Sequence, residues 1–216
     1  MWTRVRVVAL GAAALTLAAC GSIHPGDAAV VDGQAISMKT FDKNARLLCD
    51  VSLRQAKAQG QDSLPNDQVR RQAIVNLVSV VVARDIAKQK GITPDKATYE
   101  LPASQVERIA KAFPNAEDAA TVVSIYEDFN ETIEIATQLG EQSSGVSRTD
   151  ENQQQLAAEG QDEIQKAFKD HDVKFAPLFG LSGTLKDLGP TGSLSVPDPT
   201  LDTSTDTVLP PAQRCA

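Results

Sequence analysis

AAVVDGQAISMKTFDKNARLL, residues 28–48, decides the fold. Asp32-Gly33 sits between two apolar, β-branched stretches. Such a pair favours the positive backbone angles of a two-residue hairpin turn, so residues 28–36 read as two short antiparallel strands. Ser37 follows as an N-cap, its hydroxyl placed to accept from a free first-turn amide. Met38, Phe41, Ala45, Leu48, Ser52 and Ala56 then recur at helical spacing. The helix should run to about Gln59 and stop at Gly60.

Working outward, residues 61–64 form a polar turn, and Pro65 or Asn66 opens a second helix that ends at Gly91. It carries AIVNLVSVVVA, residues 73–83. Ile74, Leu77, Val78, Val81 and Val82 cover more than half its circumference, so it is packed on most sides and forms the core. The run is short and broken by Asn76 and Ser79, so it does not span a membrane. Thr93-Pro94 starts a short helix, residues 94–100, and Pro102 starts another with Val106, Ile109, Ala110 and Phe113 on one face. Pro114 breaks it and Asn115 caps the next, whose inward stripe is Val122, Ile125, Phe129, Ile133, Ala136 and Leu139. Residues 140–147 read as a Ser/Gly loop. A last helix, residues 149–169, turns Leu156, Ile164, Ala167 and Phe168 inward. Residues 172–176 alternate polar and apolar, a half-buried strand. From residue 180 to 216 five prolines and many Ser, Thr, Gly and Asp make a tail too polar to order itself.

The other end is an address. Arg4 and Arg6 precede an eleven-residue apolar stretch, residues 7–17. As a helix it is about 17 Å long, against roughly 30 Å of hydrocarbon. It reads as a cleavable signal. Leu17-Ala18-Ala19-Cys20 resembles the lipobox of bacterial lipoproteins. That resemblance implies cleavage before Cys20, lipidation of its sulfur and an extracytoplasmic, membrane-tethered chain. The alternative is an ordinary signal peptide that contains a cysteine. Residues 1–19 are then the signal, 20–27 the tether, 28–179 the helical domain and 180–216 the tail. With Cys20 lipidated, Cys49 and Cys215 remain, and an even pair in an exported protein suggests one disulfide. It would hold the tail back over the domain as a lid. The alternative is a buried apolar Cys49 and a free thiol at Cys215.

Composition narrows the chemistry. Aromatics are 4% of the chain, so the core is aliphatic and alanine-rich. A net charge of −7 repels nucleic acid and anionic headgroups, leaving the lipid as the expected membrane contact. Two histidines and three cysteines rule out most zinc sites and any His-rich metal centre. His24 lies in the tether, and His171 reads as a helix-end residue suited to the dipole. GxSxG, HExxH, P-loop and GxGxxG motifs are absent. The carboxylate pairs Glu117-Asp118 and Glu127-Asp128 are adjacent, diverge by about 100° on a helix and do not converge on a substrate. The expectation is no catalytic, metal or cofactor site.

Ala29-Val30-Val31-Asp32-Gly33-Gln34-Ala35-Ile36-Ser37 resembles the opening strand and capped helix of the SurA/PrsA/trigger-factor group of chaperones. Lys90-Gly91-Ile92-Thr93, after an apolar helix, is similar to that group's helix exit. The resemblance covers about residues 28–100, and more weakly the closing helix and strand to about 180. It implies a mainly α domain whose small sheet joins the N-terminal hairpin to a strand near 172–177. Foldases of the group carry a parvulin domain, for which this chain has no room, so the resemblance argues against isomerase activity. It implies a non-catalytic binder of unfolded exported proteins. A structural adaptor docking one folded envelope partner is the alternative.

Overall fold

Asp32 and Gly33 adopt φ of 47° and 84° in the computed structural model, which describes residues 23–186 and 214–215. The turn joins β1 (Asp27–Val31) to β2 (Gln34–Ser37) in antiparallel register, Val31 opposite Gln34. Residues 28–31 of β1 are all buried, because β1 is the central strand: β4 (Val173–Phe175) pairs with its other edge, Ala29 opposite Phe175. A strand covered on both faces needs no polar alternation, which explains the continuous Ala-Ala-Val-Val.

The Ser37 hydroxyl accepts from the Thr40 amide at 3.0 Å and starts α1 (Met38–Ala58). Gly60, at φ 80°, lies just beyond its end. After β3 (Leu64–Pro65) comes α2 (Asn66–Lys90), ended by Gly91 at φ 68°. Short α3 (Lys96–Tyr99) is capped by Asp95, and α4 (Ala103–Ala112) begins after Pro102. The Asn115 side chain accepts from Asp118 N and caps α5 (Ala116–Ser144). At about 1.5 Å per residue α5 is roughly 43 Å long. α6 (Gln153–Ala167) returns along it. β5 (Arg214–Cys215) pairs with β3. The chain is thus mainly helical with a small three-stranded antiparallel sheet and one two-stranded ladder.

The main core gathers Ile74, Val78 and Val82 of α2, Phe41 of α1, Ile135 and Leu139 of α5, and Ile164 of α6. The Phe41 ring meets Phe179 edge-on at 4.7 Å, and the Arg70 guanidinium lies 4.6 Å from its centroid. A satellite cluster of Leu47, Phe113, Ala119 and Val122 locks the first half of α5 to α1 and α4.

Several expectations are corrected, the start of α3 among them, since Asp95 and not Thr93 caps it. Residues 140–144 are not loop: α5 runs through Gly140 and stops at Gly145, φ 70°. Gly140 serves packing instead. A Cβ on it would fall 2.9 Å from the Leu156 Cα, and one on Gly160 would fall 2.9 Å from the Ala136 Cα, with the backbone carbonyls closer still. The paired glycines let α5 and α6 touch backbone to backbone. The last helix is also shorter than residues 149–169, because a Thr149–Asn152 turn precedes it, Asn152 Oδ1 accepting from Thr149 N at 2.7 Å. Finally, Phe129 is 55% and Ile133 37% exposed. α2 and α6 cover the neighbouring stripe of Thr132, Ile135, Ala136 and Leu139, which turns those two side chains outward. Val106 of α4 is likewise at the surface, while Phe113 is buried.

Leu181 and Leu185, beyond the expected domain boundary at 180, pack against the main core. Cys20, the signal and residues 187–213, where the lid was expected, lie outside the described residues. Among the described residues no helix is long and apolar enough to cross a membrane.

Candidate binding cleft

Residues 73–83 of α2 are apolar on most sides, yet the sheet, α1, α5 and α6 bury only part of that run. Ala73, Ile74, Val78, Val82 and Ala83 are enclosed, whereas Val75, Leu77 and Val80 stay half-buried. These three line a cleft of about 260 Å³ bounded by α1, α2, α5 and α6. α1 contributes Leu48 and Asn44 one turn apart, and α5 contributes Ile125 and the outward Phe129. The amides of Asn44, Gln72, Asn76 and Gln161 and the hydroxyls of Ser79 and Thr132 also line it. Most small-molecule sites enclose roughly 300–1,000 Å³. This cleft lies just below that range.

Its one ionised lining group is Asp128. That carboxylate is already engaged, accepting from Arg84 Nη2 at 2.6 Å, and Arg84 also donates to Glu131. Burial opposes the charge on Arg84, but the hydrogen bonds to Glu131 and Asp128 outweigh it and raise its pKa. The cleft therefore offers apolar contact and neutral amides with little net charge. Gln72 Nε2 donates to Asn76 Oδ1 at 2.6 Å along α2. A second hollow, about 300 Å³, lies at the C-terminal end of α2 between Arg84, Lys88, Thr93 and Glu131.

The adjacent carboxylates diverge, each pinning a different element. Glu117 accepts from Lys43 and Asp118 from Arg46, both on α1. Glu127 accepts from Leu101 N at 3.2 Å, while Asp128 faces α2. A more buried pair joins Glu134 to Arg148 at 2.7 Å; that hydrogen bond raises the Arg148 pKa.

Cys49 on α1 and Cys215 on β5 are within bonding distance, their Cα atoms 5.5 Å apart. Cys215 is fully buried. His24 lies near Asp27, Nδ1 to Oδ2 3.6 Å. His171 follows the end of α6, its backbone N–H donating to Ala167 O at 3.2 Å. Its side chain is 6% exposed, and Nδ1 lies 2.5 Å from Asp32 Oδ2 in the hairpin turn. That hydrogen bond, with a backbone bond from Asp172 N to Asp32 Oδ1, holds the Asp32 carboxyl below its usual range against a smaller desolvation effect. Asp85 of α2 closes on the same ring nitrogen at 3.9 Å. Sequence spacing carries no signal for this meeting, since the three residues come from a turn, a helix and a loop.

Comparison with family models, with curated proteins and with solved structures finds no match.

Proposed function

We propose that the chain is a non-catalytic, membrane-tethered binder of unfolded exported proteins, in keeping with its resemblance to the SurA-type N-terminal chaperone domain. The observation that supports this reading most is the cleft beside α2: an apolar floor of Leu48, Leu77, Val80 and Ile125, the exposed ring of Phe129, and an amide lining. An extended peptide offers one aliphatic or aromatic side chain after another and a backbone whose N–H and C=O groups need partners. Neutral amides supply both a donor and an acceptor without selecting for charge. Such a surface takes many sequences weakly, which is what a holding chaperone requires.

The purified chain should suppress aggregation of several unrelated unfolded proteins. Burying a Phe ring contributes about 1.5–3 kcal/mol. Phe129→Asp should therefore weaken peptide binding roughly ten- to a hundredfold while leaving the unfolding transition nearly unchanged, because the ring is already half in water. Fluorescence titration with a labelled unfolded polypeptide, beside a thermal melt of the variant, checks both parts. Capture of one folded envelope protein without any holding activity would favour the adaptor instead.

The tether rests on Cys20. Cys20→Ser replaces the sulfur by an oxygen that cannot form the thioether, so the variant should incorporate no fatty acid and should leave the membrane fraction. Labelling that persists in the variant would refute lipidation at this position.

A further inference from the structure

Asp32, Asp85 and His171 are brought together from three elements: the β1–β2 turn, α2, and the segment entering β4. Each offers one ligand atom, and the three atoms lie within 4.8 Å of one another. The imidazole is held by its surroundings, its side chain 6% exposed, with Nδ1 directed at both carboxylates, 2.5 Å from Asp32 Oδ2 and 3.9 Å from Asp85 Oδ2. One proton on Nδ1 serves only the nearer carboxylate. The farther one is left with an amide from Gln89 at 3.1 Å. With the ring proton on Nε2 instead, Nδ1 and the two carboxylates each present a lone pair, and a compact dication accepts all three.

We propose that Asp32, Asp85 and His171 bind one divalent transition-metal ion of the zinc type. Zinc–nitrogen and zinc–oxygen bonds of about 2.0–2.2 Å put ligand atoms on one ion no more than about 4.4 Å apart. The present separations approach that range, and small side-chain rotations bring Asp85 in and ease Asp32 back. The mixed nitrogen and oxygen set favours a first-row metal over calcium, which takes six to eight oxygens. Water completes the coordination. The ion joins the hairpin turn to α2 and to the start of β4, so it clamps the sheet onto the core helix.

The experiment uses the purified full chain stripped with a chelator, titrated with zinc chloride by calorimetry and followed by a thermal melt. One equivalent of zinc should bind. At a hundredfold excess over Kd the ion should raise Tm by roughly 5–10 °C. Asp85→Asn leaves the His171–Asp32 hydrogen bond in place, so it should fold normally, lose at least tenfold in zinc affinity and lose most of the Tm gain. His171→Gln should lose more. His24→Ala, altering the one other histidine, should bind as the parent does, and calcium chloride should bind the parent at least a hundredfold more weakly than zinc. No zinc binding by the parent overturns the proposal. So does binding that Asp85→Asn leaves unchanged, or that His24→Ala abolishes. Phe129→Asp should bind zinc normally, so failure of the metal site and failure of the cleft are read separately.

Discussion

Gly160→Ala lowers Tm by roughly 5–10 °C, although alanine is the better helix former by about 1 kcal/mol. The new methyl group would have to occupy space already held by the backbone of Ala136. Backbone cannot rotate away as a side chain can, so α5 and α6 must separate. Overpacking of this kind typically costs 1–3 kcal/mol, occasionally more. The cost here falls at the upper end, because the separation also loosens Ile135, Leu139, Leu156 and Ile164. The net loss is about 2–3 kcal/mol, and Gly160→Val should exceed it. The double variant Gly140→Ala/Gly160→Ala should lose less than the sum, since helices already apart accommodate the second methyl more easily. Chemical denaturation of these variants and of Gly140→Ala alone checks the order and the sum. A stability gain in Gly160→Ala would show that the two helices do not touch there.

Cys215→Ser is expected to cost a similar amount or more. A Cys49–Cys215 disulfide would link residues 166 positions apart, for which chain entropy alone gives about 5 kcal/mol. Residual order in the unfolded chain reduces this, and roughly 2–4 kcal/mol, or about 5–15 °C in Tm, is expected. The serine hydroxyl would also sit where Cys215 is fully buried. Dithiothreitol should bring the parent down to nearly the stability of the variant, and should leave the variant itself unmoved. Non-reducing peptide mass spectrometry should recover Cys49 linked to Cys215, with no free thiol at either. A reductant that does not shift the parent would deny the bond its role.

The features legible in the sequence are those whose cause is local. Asp32-Gly33 makes its turn because two adjacent residues take positive φ, and Ser37 caps α1 through an amide three residues away. Gly91 ends α2 for the same kind of reason. Gly140 misleads because a glycine that breaks a helix and one that admits a neighbouring helix look alike until Leu156 is seen beside it. Phe129 and Ile133 keep perfect helical spacing with Val122 and Ala136, yet the covering by α2 and α6, not the spacing, selects which side is buried. The cleft follows from that selection. The apolar excess of α2 is plain in residues 73–83, but which of its sides stays open depends on how far α1 and α5 close over it. The Asp32–His171 contact joins residues 139 positions apart, and no periodicity reaches so far.

The central position of β1 sets an order of events during synthesis. Its second edge is closed only by β4, where Asp172 N reaches Asp32 across 140 positions. At about 5–20 residues per second, β1 waits roughly 7–28 s for that partner to be made. Pairings so distant also close slowly once both strands exist. For that interval the newborn chain shows the bare edge of Ala29 and Val31 and the uncovered side of Phe41. This is a surface of the sort a holding chaperone would grasp.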